Sequence, residues 1–150
     1  MASQEHFTLG LAQSNDKSWL YELYCSQMRQ VIEHAMGWDE EAQSKRFERS
    51  YKIESFEIIY QAGLRVGALY RIGKAESLHL SLLLIDGPYQ NDGIGSSLIK
   101  HLKKQCVTEG KALTLSVFKN NPATNLYQRL GFTIQNEKWL GKRGQCHWEC

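Results

Sequence analysis

The feature that most constrains the fold is a strand, a loop and a helix in direct succession between Leu78 and Gln105. A run of branched apolar residues predicts a buried strand that ends near Ile85. After the turn around Gly93 and Gly95, apolar residues recur every fourth position, which predicts an amphipathic helix packed on a sheet. These residues are Ile94, Leu98, Leu102 and Cys106.

The glycine turn lies where this helix begins, and a helix start carries unpaired N–H groups and a partial positive charge. Glycines there let a phosphate approach closely, so the turn predicts an anion cradle. No Lys-Ser or Lys-Thr follows, and Gly93-x-Gly95 lacks the third glycine of the dinucleotide fingerprint. A bare strand-to-helix turn would also use glycine, because glycine readily adopts a positive φ.

The whole segment from Ile85 to Gly95 resembles the acetyl-CoA-binding signature of the GNAT N-acetyltransferase superfamily. In that signature a Gln or Arg, two residues, Gly, one residue and Gly follow a buried strand. A second stretch, from Asn120 to Phe132, resembles the superfamily's other motif: an Asn, an Ala, Leu-Tyr, three residues and Gly-Phe. The two motifs stand in the family's order and at its separation.

The resemblance implies one α/β N-acetyltransferase domain over residues 1–150, with a mixed, mostly antiparallel sheet flanked by helices. Its two central strands would splay apart and leave backbone groups for the pantetheine arm of acetyl-CoA. The segment from Ser55 to Leu84 independently predicts a meander of three antiparallel strands. The residues expected to bind acetyl-CoA from the last strand and the turn are Leu83, Leu84, Ile85, Gln90, Asn91, Asp92, Gly93, Ile94, Gly95 and Ser96.

The second motif adds Asn121 and Tyr127 to the predicted cofactor site. Asn121 followed by Pro122 is a strong helix-start signal, although Asn120 stands at the family's more usual distance from the tyrosine. When an amine attacks a thioester, a thiolate must leave, and a positioned phenol can donate a proton to it. In the family the residue matching Tyr127 does this.

Two further groups are needed for acetyl transfer. The backbone N–H of Leu83 or a neighbour is expected to stabilise the oxyanion. The proton acceptor is less determined, because related sequences often carry a Glu on this strand where Leu82 stands here. His79 is favoured because an unperturbed His titrates near neutral pH, although a His satisfied by its neighbours is an alternative. Glu76, Glu40 and Glu41 are the other candidates.

The segment around Trp38 resembles the start of the second helix in one branch of the superfamily, where it borders the acceptor pocket. Trp38 and Glu41 are therefore predicted to contact the acceptor, because a ring face and a carboxylate both attract a cation. The alternative is that Trp38 only packs and that the acidic residues after Asp39 only favour a helix N-terminus.

Composition restricts the partners and the compartment. Eighteen basic against 16 acidic side chains leave a net charge of +2 without a basic block, so nucleic acid is not expected. No segment approaches the roughly 18 apolar residues of a membrane span, so the protein is predicted to be cytoplasmic and not to bind a membrane. Four scattered cysteines predict free thiols and no metal site.

The predicted function is transfer of the acetyl group of acetyl-CoA to a primary amine of a small molecule or peptide. Neither motif contains a Cys that would form an acyl-enzyme, so direct attack in a ternary complex is expected. Two alternatives remain: a CoA-binding regulatory or interaction module without turnover, and a nucleotide-binding regulator. An exposed strand near the C-terminus is compatible with a homodimer.

Overall fold

The fold is a seven-stranded mixed sheet with helices on both faces, in a computed structural model that describes residues 7–118, 121, 123–139 and 144–149. The strands are β1 (Thr8–Leu11), β2 (Glu57–Gln61), β3 (Leu64–Gly73), β4 (Ser77–Ile85), β5 (Ala112–Phe118), β6 (Thr133–Trp139) and β7 (Gly144–Glu149). The helices are α1 (Lys17–Met36), α2 (Glu40–Ser50), α3 (Ile94–Glu109) and α4 (Ala123–Arg129).

The sheet order is β1-β2-β3-β4-β5-β7-β6, and only β4 and β5 are parallel. The predicted meander of β2, β3 and β4 is confirmed, and its first turn places both Ala62 and Gly63 at positive φ. This backbone suits a tight hairpin. The mixed, mostly antiparallel architecture predicted from the sequence is therefore confirmed.

Two buried clusters hold the layers together, one on each face of the sheet. The first packs α3 against β4 and β5, with Leu98 and Leu102 fully buried. The second packs α1 and α2 against β2, β3 and the later part of β4, and it is rich in aromatic rings that include Phe47 and Phe56. Each fully buried side chain of this size contributes about 1.5–3 kcal/mol.

Helix ends follow the signals in the sequence. Asp39 accepts hydrogen bonds from the backbone N–H groups of Glu41 and Ala42, so it caps α2. Gly110 ends α3 in the left-handed conformation that glycine favours. Within the part of the chain that the structure describes, no helix is both long enough and apolar enough to cross a bilayer.

Candidate active site

The sheet opens between β4 and β5. Their register runs from Ser77 opposite Ala112 to Leu80 opposite Leu115 and ends there, although β4 continues to Ile85. Beyond that point β5 stays paired with β7, on its other side. The two parallel strands therefore diverge into a V-shaped cleft, as the sequence predicted.

A bulge at Ser81 changes the direction of β4 where the cleft begins. Tyr70 of β3 pairs with Leu82 and Arg71 with Leu80, so Ser81 is the extra residue. Before the bulge, Leu80 packs in the cluster around α3. After it, Leu82 and Leu84 pack on the opposite face against α1 and α2. Because of the bulge, the even-numbered leucines face α3 before Ser81 and face α1 and α2 after it.

Beyond the bulge, alternate backbone groups of β4 face the cleft. The N–H of Asp86 donates to the carbonyl of Val66 on β3 at 2.9 Å. Because hydrogen-bonding direction alternates along an antiparallel strand, Leu84 also faces β3, while Leu83 and Ile85 face away from it. Of the three predicted residues, Leu83 and Ile85 therefore present backbone groups to the cleft, whereas the backbone groups of Leu84 face β3.

The side chain of Gln90 covers one of these cleft-facing groups. Its Nε2 donates to the carbonyl oxygen of Ile85 at 2.9 Å and also to Oε1 of Gln27 on α1. A carbonyl left without a strand partner is thereby satisfied by a side chain. Gln90 was predicted as a cofactor residue, whereas nothing in the sequence indicates a role for Gln27.

The turn before α3 is the segment predicted to bind an anion. Asn91 and Gly93 both have positive φ, at 66° and 83°. The first intrahelical bond runs from the Ser97 N–H to the Gly93 carbonyl. The preceding amides of Ile94, Gly95 and Ser96 therefore have no acceptor within the helix, and no side chain caps them. Asp92 lies exposed in the same turn.

Helix α4 lies beside the start of α3. A methyl group on Gly95 would lie 3.7 Å from Leu126 of α4, and Nζ of Lys103 donates to the carbonyl of Leu130 at 2.8 Å. Asn121 accepts from the N–H of Ala123 at 2.9 Å, which confirms its capping role. Asn120, the alternative to Asn121 in the second motif, lies outside the described residues.

Tyr127 is almost fully buried in the α3 cluster, with its ring edge-on to Phe132 at 5.9 Å. Burial raises the pKa of its phenol to about 12, because the charged form loses hydration. At neutral pH the side chain is a neutral hydroxyl with a proton to donate.

His79 lies where β4 and β5 are still paired, on the face opposite α3. Its Nδ1 is 2.7 Å from Oγ1 of Thr114, and its Nε2 is 3.2 Å from Oγ of Ser116. Leu82, where the resemblance places a glutamate, is buried. Glu76 lies exposed just before β4. Sequence analysis did not single out Thr114 or Ser116, although both alternate with buried residues of β5 as His79 does on β4.

The predicted acceptor residues lie at the turn between α1 and α2. The indole N–H of Trp38 donates to Glu40 at 3.2 Å, and the phenol of Tyr21 donates to the same carboxylate at 2.9 Å. These bonds lower the pKa of Glu40, so it is ionised at neutral pH. The guanidinium of Arg29 lies 5.1 Å from the centre of the Trp38 ring. Glu41 is exposed, and Glu40 is the acid that contacts Trp38.

The described residues contain no group of three or more His, Cys, Asp or Glu side chains that could hold a metal ion. Cys25 and Cys106 are free thiols, as predicted for them. Cys146 and Cys150 lie outside the residues whose side chains are described.

Comparison with known proteins gives a consistent result. A family model described as an acetyltransferase (GNAT) domain matches residues 12–145. Cysteine-rich protein 2-binding protein of Mus musculus is 39% identical over 62 residues, which are 41% of this chain and 8% of that protein. The chain therefore matches less than a tenth of the length of that relative.

Two solved structures share the fold along nearly the whole chain. The PaiA N-acetyltransferase of Thermoplasma acidophilum, in complex with coenzyme A, aligns with a TM-score of 0.71 at 15% identity over 95% of this chain and 98% of its own. Naa50 of Arabidopsis thaliana, in complex with the bisubstrate analogue CoA-Ac-MVNAL, aligns with a TM-score of 0.65 at 17% identity over 97% and 99%.

Proposed function

Because the chain belongs to the GNAT acetyltransferase family, we propose that it is one N-acetyltransferase domain that transfers the acetyl group of acetyl-CoA to a primary amine. The observation that carries this proposal is the cleft between β4 and β5: the backbone groups along one arm have no strand partner, and the helix start beside it has no side-chain cap. Such a pair of features suits a ligand with an amide-rich arm and a pyrophosphate. Acetyl-CoA has both.

The pyrophosphate would lie on the amides of Ile94, Gly95 and Ser96, held in place by the turn from Asn91 to Gly93. Glycines at positions 93 and 95 leave the approach open, and the helix dipole favours the negative charge. The pantetheine amides would pair with Leu83 and Ile85, as a short added strand. Asn121, at the cap of α4, is the proposed side-chain contact.

Binding of the pantetheine arm would displace the amide of Gln90 from the Ile85 carbonyl. The exchange replaces one hydrogen bond by another, so opening the site costs little net hydrogen-bond energy, about 1 kcal/mol or less.

Transfer itself would use three groups. The N–H of Leu83 faces the cleft and would donate to the oxyanion. Tyr127 would give its proton to the departing thiolate, and His79 would accept the proton of the acceptor amine. We propose direct attack in a ternary complex. The described residues of the cleft include no cysteine.

The acceptor would enter past the turn between α1 and α2, where Trp38 presents a ring and Glu40 an ionised carboxylate. Glu41, the acid predicted first, lies exposed beside them. The Arabidopsis relative is complexed with an analogue in which CoA is joined to a peptide. A peptide amino terminus is therefore a proposed acceptor alongside small primary amines.

A second candidate function is a CoA-binding interaction module without turnover. The observation that favours it is Leu82, which is buried and apolar where relatives often carry a glutamate. Such a module would bind CoA normally and release none from acetyl-CoA in the presence of amines.

The test combines CoA binding with CoA release from acetyl-CoA across a panel of small amines and peptides with free amino termini. Gly95→Ala is the diagnostic variant. The added methyl would lie at ordinary contact distance from Leu126, so the fold should tolerate it, but it would stand at the N-terminus of α3 where the phosphate is proposed to bind. We expect its affinity for CoA to fall at least about tenfold, as one hydrogen-bonded phosphate contact is worth roughly 1.5 kcal/mol or more.

Gly87→Ala is the matched control, since nothing lies within 4 Å of the added methyl and the residue is outside the cradle. We expect it to bind CoA as the parent does. Equal binding by both variants would show that the phosphate does not approach Gly95. Binding of CoA without turnover on any amine of the panel would favour the interaction module.

A further inference from the structure

A row of three hydrogen-bonded side chains crosses the closed end of the cleft. His79 of β4 lies between Thr114 and Ser116 of β5, with its Nδ1 2.7 Å from one hydroxyl oxygen and its Nε2 3.2 Å from the other. All three side chains are half-buried, so the row is neither sealed in the core nor fully solvated. The two hydroxyls fix the plane of the imidazole between the strands.

The row ends at the vertex of the cleft. The last paired residues are Leu80 and Leu115, so Ser116 is the first residue of β5 beyond the point where the strands part. On the other arm, Leu83 follows the bulge and turns its backbone N–H toward the same opening. A thioester carbonyl bound at that N–H would therefore lie across the vertex from Ser116.

The hydrogen bonds of the row have a definite direction when the imidazole is neutral. A neutral imidazole has one N–H and one lone pair. If Nδ1–H donates to Thr114, then Nε2 accepts from the hydroxyl of Ser116. A hydroxyl oxygen has two lone pairs, so Ser116 can also accept from a donor that approaches from the cleft, such as an ammonium group.

We propose that Ser116 and His79 form a proton relay that deprotonates the acceptor amine, and that Thr114 positions the imidazole. This inference rests on the proposed acetyl transfer and names the group that contacts the amine. The ammonium N–H gives its proton to Oγ of Ser116 while the proton of Ser116 moves to Nε2 of His79. The freed nitrogen lone pair forms the C–N bond with the thioester carbon.

The remaining bonds and protons balance as follows. The C–S bond breaks, and the thiolate takes the proton of Tyr127 to become the thiol of CoA. The nitrogen loses a second proton, which restores Tyr127 through solvent. His79 passes the first proton to solvent. One ammonium and one thioester thus become one amide, one thiol and one released proton.

The relay predicts a dependence on the protonation state of the acceptor. Ethylamine is protonated at neutral pH, whereas methoxyamine has nearly the same size and is uncharged. Both are to be measured as acetyl acceptors with radiolabelled acetyl-CoA. For Ser116→Ala we expect the rate with ethylamine to fall about 10²-fold or more, the usual contribution of a positioned proton acceptor. The rate with methoxyamine should stay within about threefold of the parent.

Companion variants separate a relay from a structural role. Ser116→Thr keeps a hydroxyl and should restore the rate with ethylamine. His79→Gln should lower the rate with ethylamine but not the rate with methoxyamine, as Ser116→Ala does. Thr114→Val should show a smaller loss that is again confined to ethylamine. Ser77→Ala is the matched control. Ser77 lies on β4 with His79, at the closed end of the cleft and opposite Ala112, so this variant should leave both rates unchanged.

Three results would overturn the relay. The first is equal loss on both amines for Ser116→Ala, which would indicate a structural role. The second is an unchanged rate with ethylamine for Ser116→Ala. The third is an acetyl group on Ser116 after incubation with acetyl-CoA alone, detected by mass spectrometry, because the serine would then be a nucleophile. If the parent protein acetylates neither these two amines nor any member of the panel of amines and peptides, the proposed acetyl transfer fails, and the relay fails with it.

Discussion

Tyr127 holds its hydroxyl in an apolar setting, and this setting determines which protonation state is present. Burial raises the pKa to about 12 from an ordinary value of 10.0. A raised pKa in the folded protein means that the phenol stays protonated until the pH approaches that higher value. Through neutral and moderately alkaline pH the residue can therefore serve as a proton donor.

We expect Tyr127→Phe to lower kcat about 10²-fold while CoA affinity stays unchanged, because only the donated proton is removed. The buried ring stays in place, so the free energy of unfolding should change by no more than about 0.5–1.5 kcal/mol, the usual net contribution of one hydrogen bond. Steady-state kinetics and CoA titration measure the two effects. Tyr60→Phe, on β2, is the control, and an unchanged kcat in Tyr127→Phe would contradict the proton-donor role.

At the residue scale, the sequence predicted which residues belong to the candidate site better than it predicted which atoms they contact. Tyr127 and the glycines of the cradle were identified because their motifs have fixed spacing. The bond from Gln90 to the Ile85 carbonyl could not be predicted, because it depends on where a strand without a partner ends. The contact between Trp38 and Glu40 rather than Glu41 depends on the angle at which α2 leaves its cap.

Among the elements, β4 has the most constrained neighbours. Gly67 of β3 lies so close to it that a methyl group there would press on the carbonyl oxygen of Leu84, well inside contact distance. The same methyl would lie 3.2 Å from Ile85 and 3.3 Å from Ile59. A side chain at position 67 would therefore push β4 toward the cleft.

For Gly67→Ala we expect a loss of about 1–3 kcal/mol in the free energy of unfolding, the usual cost of overpacking, together with weaker CoA binding. Urea unfolding and CoA titration measure these quantities. Gly73→Ala on the same strand is the control, since nothing lies within 4 Å of its added methyl. If Gly67→Ala is as stable as that control, the close approach of the two strands is not needed.

The elements themselves were largely predictable, because β2 to β4 and the four helices carry clear periodicity and caps. The face exchange at Ser81 was not, since leucines occupy every second position from Leu78 to Leu84 and this alternation predicts a single buried face. His79 and Ser116 alternate with apolar residues on separate strands, but only the observed register brings them together.

In the whole molecule, a pairing of only four residues joins β4 to β5, while clusters on both faces of the sheet hold the remainder together. A ligand that spans the open part of the cleft would connect the two arms of the sheet. Its binding energy would then appear directly as folding stability, by about 2.7 kcal/mol at a ligand concentration 100 times Kd.

Saturating CoA should therefore raise Tm by about 5–10 °C for a chain of this size. Hydrogen exchange gives the sharper measurement. The amides of Leu83 and Ile85 face the cleft and should become more protected, whereas that of Leu84 faces β3 and should change little. Uniform protection of all three, or protection of Leu84 alone, would contradict the proposed binding along β4.

The bulge at Ser81 has a consequence for how β4 can vary. Residues before and after it belong to different faces of the sheet, so the extra residue matters through its presence rather than through its hydroxyl. Substitution there should be tolerated while the bulge is kept, whereas regular pairing of Ser81 with Tyr70 would turn Leu82 and Leu84 away from α1 and α2 and rotate the cleft-facing amides by one position. The pairing register beyond Ser81 is therefore under stricter control than the side chain at that position.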